Sequence, residues 1–443
     1  MKITYLSSST LILENNNYKI LMDPWFVDGE YYGSWCHYPK LNVDLDLINS
    51  CNFIYISHIH PDHFSRKSLE LINKNIPVLI LNYSSKFLKF NIEKLGFKVV
   101  ELNHNEDFII HNDFKIRIFA ADNCNPELCG KFFGCSNVES SYQTTQIDSM
   151  AVFHSNENII LNVNDCPFEL AEKTLELIKK EFKEIDLLLV GYAGAGPFPQ
   201  CFKLEIEDKI KFADEKKHKF LKQGLSYINK INPRYFIPFA GTYTLSGKLS
   251  QLNKYRGVPD IEDALDYFNI NVIQSKGFLL NAYEHFDLTN FSQSNTYISY
   301  KSEKDKYIIE NLSNFQMDYE KDEDPNFLDI MSFIPEAHKR FLNKIEEIGF
   351  KSNTIIFISL PNEKDLKIYL NRENKYEIVD YNDFINCERY VRIETDFKLL
   401  FRLLKGPRYA HWNNAEIGSH LIINRKPNIF ERGLFYSLYS FHV

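Results

Sequence analysis

Ser57-His58-Ile59-His60-Pro61-Asp62-His63, directly after the apolar run Phe53-Ile54-Tyr55-Ile56, decides how the rest of this chain is read. It sets three imidazoles and one carboxylate in six consecutive positions. Neutral imidazole and carboxylate are ligands for zinc or iron, and alternate residues leaving a strand can converge on one ion. A single histidine is more often a polar side chain that satisfies backbone groups or caps a helix. His-x-His-x-Asp-His straight after a strand reads instead as a metal site built from His58, His60, Asp62 and His63.

Outward from this motif, short apolar runs alternate with helical patterns. Ile3 and Tyr5, then Leu11 to Leu13, precede an Asn15-Asn16-Asn17 turn, and Tyr18 to Met22 follow it. This hairpin exits into Asp23-Pro24, where the aspartate reads as a turn former that could also approach the metal. Ser65 is placed to cap a helix running to about Lys74. Further strands are expected at 77–81, 99–102, 114–119, 159–163, 185–190 and 235–239, with a short one near Phe278 to Leu280. Helices are expected at 85–95, about 171–182 and 203–231. Four strand exits carry unusual polar or glycine chemistry: 57–63, 122–127, 164–166 and 191–196. In layered α/β folds such loops assemble active sites. Asp165 also has a reading as the N-cap of the helix after it. Gly191, Gly194 and Gly196 permit close backbone approach to an anion such as phosphate, although glycines often serve packing alone.

The chain has 443 residues, too many for one ordinary core, so two domains are expected: 1–285 and, after a polar seam, an α+β region at 290–443. That second part is expected to hold helix at 328–348 and strands at 354–359 and 390–395. With 44% apolar and 25% charged residues the composition is that of a globular protein, and the net charge of −8 argues against a nucleic-acid partner. No apolar run is long enough to span a bilayer, and the N-terminus lacks a secretory signal pattern, so a cytoplasmic location with reduced thiols is expected. Among eight cysteines, Cys124, Cys129 and Cys135 are spaced without the paired Cys-x-x-Cys of a zinc ribbon. They read as thiols of an ordered loop, and no pattern for a Rieske iron–sulfur centre is present.

His58-Ile59-His60-Pro61-Asp62-His63 resembles the signature of the metallo-β-lactamase superfamily. The resemblance implies an αββα sandwich over roughly residues 1–285. His58 and His60 would hold one metal, Asp62 and His63 a second, and Asp165, closing Asn162-Val163-Asn164-Asp165, would bridge them. Within the superfamily the chain is similar to the L-ascorbate-6-phosphate lactonase-like branch and to the catalytic part of CMP-N-acetylneuraminate hydroxylase. The second likeness rests on Asp165-Cys166, Phe198-Pro199 and Asn232-Pro233-Arg234 leading to Pro238-Phe239-Ala240-Gly241. The sequence enters the sandwich at its first strand, without the Rieske domain of that hydroxylase. Two departures stand out. Where a third histidine is expected near 122–127 the chain has Asp122, Asn123 and Asn125, which become the substitute ligand candidates. The histidine expected after the last strand is replaced by Ala240-Gly241.

These features imply a metal-dependent hydrolase with one or two divalent ions (zinc or iron, with manganese a third candidate). Metal-activated water would be the nucleophile, with Asp62 and Asp165 as the catalytic carboxylates. The substrate class is a small anionic sugar derivative, phosphorylated or nucleotide-linked, contacted by Gly191, Gly194, Gly196 and Thr242. The alternative is an iron-dependent oxygenase of a nucleotide sugar, which would need a separate electron donor. A third reading, a binding module with a degenerate site, follows from the two missing histidines.

Overall fold

A computed structural model describes residues 1–83, 85–121, 148–370 and 375–443 of the chain. Two mixed sheets face each other. The first has eight strands in the order 292–293, 285–287, 2–7, 10–15, 18–22, 53–55, 78–81 and 99–102. It is antiparallel up to Tyr18–Met22 and parallel from there on. The second has seven, in the order 276–277, 235–239, 187–191, 159–162, 149–154, 114–120 and 107–111, with the first four parallel.

Side chains from the two inner faces, among them Ile20, Ile54, Ile118 and Leu189, merge into one buried core. The helices Arg66–Glu70 and Phe87–Lys94 contribute Leu69, Leu88 and Ile92 to it. On the far side of the second sheet, Leu175, Tyr227, Ile228 and Phe268 from the helices Phe168–Glu181, Ile206–Ile231 and Ile261–Asn271 form a separate layer. The architecture is therefore the αββα sandwich of the metallo-β-lactamase fold. Its parallel strands point their C-terminal ends, and the loops after them, to one edge, the usual location of active sites in such sheets.

The chain leaves the first sheet after Ser292–Gln293. Beyond it lies a five-stranded sheet in the order 376–380, 364–368, 355–360, 390–394 and 422–426. Its core gathers Ile334 and Phe341 of the helix Phe327–Glu347 with Leu400, Trp412 and Leu434. Cys201 and Phe202 of the sandwich enter the same core, where Lys203 N–H donates to Ile423 and Ile423 N–H to Cys201. Helix Phe327–Glu347 starts at a capping box in which Asn326 and Asp329 satisfy each other's backbone N–H groups. Asn326→Ala should lower stability by about 1 kcal/mol, read as a shift of the urea midpoint at unchanged slope.

Several elements differ from the sequence expectation. The helix capped by Ser65 stops at Glu70. The last strand of the second sheet is Lys276–Gly277, and 278–280 is not strand. The strand Asp107–His111, an edge strand with Ile109 exposed, was not anticipated. The same holds for the lysine-bearing strands Lys364–Ile368 and Ile422–Lys426.

Candidate metal centre

The strand Phe53–Tyr55 is held between Tyr18–Met22 and Val78–Leu81, and the motif leaves its C-terminal end. The backbone turns at once, with His63 and Phe64 N–H both donating to the His60 carbonyl at 2.9 and 2.7 Å. This turn folds four side chains toward one point. His58 and His63 are fully buried, Asp62 is buried and His60 half-buried. Asp165 reaches them from the loop after Ile159–Asn162. Two triads result, His58–His60–Asp165 and Asp62–His63–Asp165, each with donor atoms within 4.8 Å of one another. Asp165 Oδ2 is 3.3 Å from His63 Nε2 and 4.0 Å from His58 Nε2, and it is the one residue the triads share. The helix after it takes Pro167 as its N-cap, with no side-chain cap, so Asp165 does not serve as the cap.

One residue missed by the sequence reading joins the cluster. Asp148 sits just ahead of the strand Ser149–His154, buried, with Oδ1 3.7 Å from His58 Nε2. Neither this oxygen nor His63 Nε2 has a hydrogen-bond partner among the described residues. Burial, then the neighbouring Asp165 charge, push the Asp148 carboxyl up to about 7. Burial also raises Asp62 and lowers His58. Buried polar atoms left unpaired are costly. Here they converge with the His58 and His60 rings, whose protonation burial disfavours, on crowded carboxylates, a charge pattern that a divalent cation compensates. The donor set therefore fits a metal. An acid immediately before an apolar strand, Asp148-Ser149-Met150-Ala151-Val152, was the available sequence signal. Asp122, Asn123 and Asn125, together with the thiols of Cys124, Cys129 and Cys135, lie outside the described residues.

Behind the cluster, Asp23 is completely buried. Its Oδ1 accepts from Ser57 N–H at 2.7 Å, and its Oδ2 from Ser57 Oγ at 2.8 Å and from His63 Nδ1 at 2.9 Å. This fixes the His63 tautomer, leaving Nε2 free for a metal. Burial alone would lower His63, but Asp165, Asp23 and Asp62 together raise it well above its ordinary value. Asp62 is oriented by the Tyr31 hydroxyl, which donates to Oδ1 at 2.6 Å, while Ser9 Oγ donates to the Asp62 carbonyl. Tyr31→Phe should weaken metal affinity about tenfold, the low end for an outer-shell partner, as measured by competition with a chromogenic chelator.

The glycine loop is explained in large part by packing. A Cβ at Gly194 would collide with the Phe220 ring, and one at Gly191 would press on the Asn164 carbonyl. Gly196 has positive φ and open space around it. The loop turns its Gly196 and Phe198 carbonyls to Lys216 Nζ, at 3.0 and 2.9 Å. Thr242, after the strand Tyr235–Phe239, lies on the wall of a cavity that the triads do not reach. Ala240 is buried with positive φ, and its N–H donates to the Ser8 carbonyl.

Residues 2–160 match the family model of the beta-lactamase superfamily domain. Two relatives match part of the chain at low identity. One is named a Rieske 2Fe-2S iron–sulfur protein, from Mycolicibacterium smegmatis, 26% identical over 269 residues, covering 58% of this chain and 47% of the relative. The other is the cytidine monophosphate-N-acetylneuraminic acid hydroxylase of Danio rerio, 23% identical over 253 residues, covering 55% and 38%. The chain thus spans less than half the length of these curated relatives. Among solved structures, a possible metal-dependent hydrolase from Veillonella parvula superposes with a TM-score of 0.46 at 14% identity, over 65% of this chain and 98% of that one. No helix of the described residues is long and apolar enough to cross a membrane.

Proposed function

We propose that this chain, which carries a beta-lactamase superfamily domain, is a dinuclear metal enzyme that oxygenates an anionic, nucleotide-linked sugar with iron as its metal. The observation that carries the reading is the donor set. His58, His60 and Asp165 form one triad, Asp62, His63 and Asp165 the other, and Asp148 Oδ1 lies 3.7 Å from His58 Nε2. Three carboxylates with three imidazoles form a dinuclear donor set that suits iron as well as catalytic zinc, and the names of the relatives tip the choice to iron. The names of the hydroxylase and Rieske relatives support the same reading and supply the substrate class.

A bound iron pair supplies Lewis acidity and redox chemistry. The chain's own residues do the rest. Asp23 keeps the proton of His63 on Nδ1, Tyr31 orients Asp62, and the half-buried His60 with the exposed Asp165 leave one side of the cluster open to substrate. A separate electron donor completes the reaction.

That open side also favours a second reading, metal-assisted hydrolysis, because water reaches Asp165 directly. Metal analysis of protein purified without chelator, followed by an oxygen electrode, separates the two. Iron near two per chain, with dioxygen consumed only when reductant and substrate are both present, is the expected result. Zinc with substrate hydrolysis and no dioxygen uptake would establish the second reading. Protein without stoichiometric metal would overturn both.

A further inference from the structure

A cavity of about 220 Å³ opens beside the loop after Tyr235–Phe239, with Tyr38, Thr242, Tyr243, Arg256, Tyr300 and Lys304 on its wall. None of the six candidate ligands lines it. Its wall still reaches them through a stack of rings. Tyr243 lies flat on Trp35 at 3.5 Å, Trp35 packs on Tyr31 at 4.5 Å, and the Tyr31 hydroxyl binds Asp62.

Arg256 is the unusual member. It is 3% exposed, its Nη1 donates to the Tyr243 carbonyl at 2.6 Å, and its guanidinium sits 4.5 Å from the Tyr243 ring centroid. Its Nε has no hydrogen-bond partner among the described residues. The neighbouring acids are engaged elsewhere. Asp260 pairs with Lys304 at 2.5 Å and Lys301 at 3.9 Å, and Glu262 accepts from the Tyr297 and Ser299 hydroxyls. The lining as a whole carries four cations, Lys40, Arg256, Lys301 and Lys304, against Asp260 and Glu262, with Asp263 pairing Lys301 at 2.5 Å from just outside it. Burial pushes Lys304 down, and Arg256 adds to the effect, as expected where positive charge is in excess.

A buried guanidinium with an open donor is costly unless an anion completes it, and its fork matches a carboxylate or phosphate. The exposed Tyr300 on the same wall offers ring surface of the kind on which a sugar stacks. The volume lies below the roughly 300–1,000 Å³ of sites for drug-sized ligands, so the occupant is small. The geometry points to this cavity as a binding site for a monosaccharide-sized anion, a sugar ring bearing a carboxylate or phosphate that pairs with Arg256 on its wall. The choice of a sugar rests on the substrate class proposed above; the choice of an anion rests on Arg256 alone.

Calorimetric titration of the protein as purified tests this with glucose 6-phosphate, glucuronate, glucose and inorganic phosphate. At least one anionic sugar should bind about tenfold tighter than both glucose and inorganic phosphate, and which one does separates phosphate from carboxylate recognition. Arg256→Met should weaken that binding about tenfold or more, and Arg256→Lys less. Tyr300→Ala, which leaves the Tyr243 carbonyl contact intact, should weaken it too, and it carries the decision if Arg256→Met fails to fold. Absence of saturation by either anionic sugar, equal binding of glucose, or unchanged binding in the variants would overturn the assignment. The readout needs neither turnover nor a particular metal. Failure here therefore leaves the iron and dioxygen outcome standing, and failure there leaves this one.

Discussion

Asp165→Ala should strip the chain of both metals at once. Purified without chelator, the variant should retain less than about a tenth of the metal of the parent. Its turnover should fall by more than the roughly 100-fold ceiling seen for outer-shell substitutions. The reason is positional: Asp165 belongs to both triads, and its Oδ2 lies between His58 Nε2 and His63 Nε2. His60→Ala and Asp62→Ala each remove a donor from one triad only. They should leave about half of the metal, and Asp148→Ala should behave like His60→Ala. Elemental analysis of the four variants side by side makes the test. Two equivalents retained in Asp165→Ala would remove the bridging role, and loss of everything in all four would mean that the two positions do not fill independently.

The second large effect is expected at Asp23, which touches no metal position. Asp23→Ala leaves the Ser57 N–H and His63 Nδ1 without their acceptor in a site with no access to water. Stability should drop by about 1–3 kcal/mol from these buried groups, and metal affinity by up to about 100-fold from loss of the His63 orientation. Asp23→Asn keeps the shape and one acceptor oxygen, and should recover part of the stability while restoring little of the affinity. Denaturant midpoints and chelator competition on the same preparations separate the two effects. Equal recovery of both by Asn would reduce Asp23 to a packing role.

Much of the fold was legible in the sequence because its parallel strands are short, fully apolar and punctuated by polar exits. Val78–Leu81 and Leu187–Val190 are buried along their whole length and allow no other reading. The edge strands were harder. Asp107–His111 and Ile422–Lys426 mix exposed charge with apolar residues, since one side of an edge faces solvent. At the centre, local spacing exposed the four motif residues, which lie within six positions of one another. Asp148 was missed, and Asp23 was readable only as a turn former that could also approach the metal, because each is brought in by the pairing of strands tens of residues apart and an aspartate beside a strand or before a proline is only a weak local mark. Asp165 was visible in sequence with two meanings open, and the start of the following helix at Pro167 decides against the cap.

The contact between the C-terminal sheet and the metal-side loop bears on how such a protein can be divided. Tyr31 and Tyr32 both have positive φ, a backbone state that non-glycine residues rarely hold unaided. His420 Nε2 donates to the Tyr31 carbonyl at 2.7 Å, the Tyr32 hydroxyl accepts from His411 N–H at 2.7 Å, and Gly418 has room for no side chain against Tyr31. Every residue of the two triads belongs to the sandwich, yet the posture of the tyrosine that orients Asp62 is moulded from outside it. Shuffling C-terminal halves between relatives would carry over ligands, strands and core unchanged and still deliver a loosened Tyr31. In recombination the two halves would behave as one inherited block.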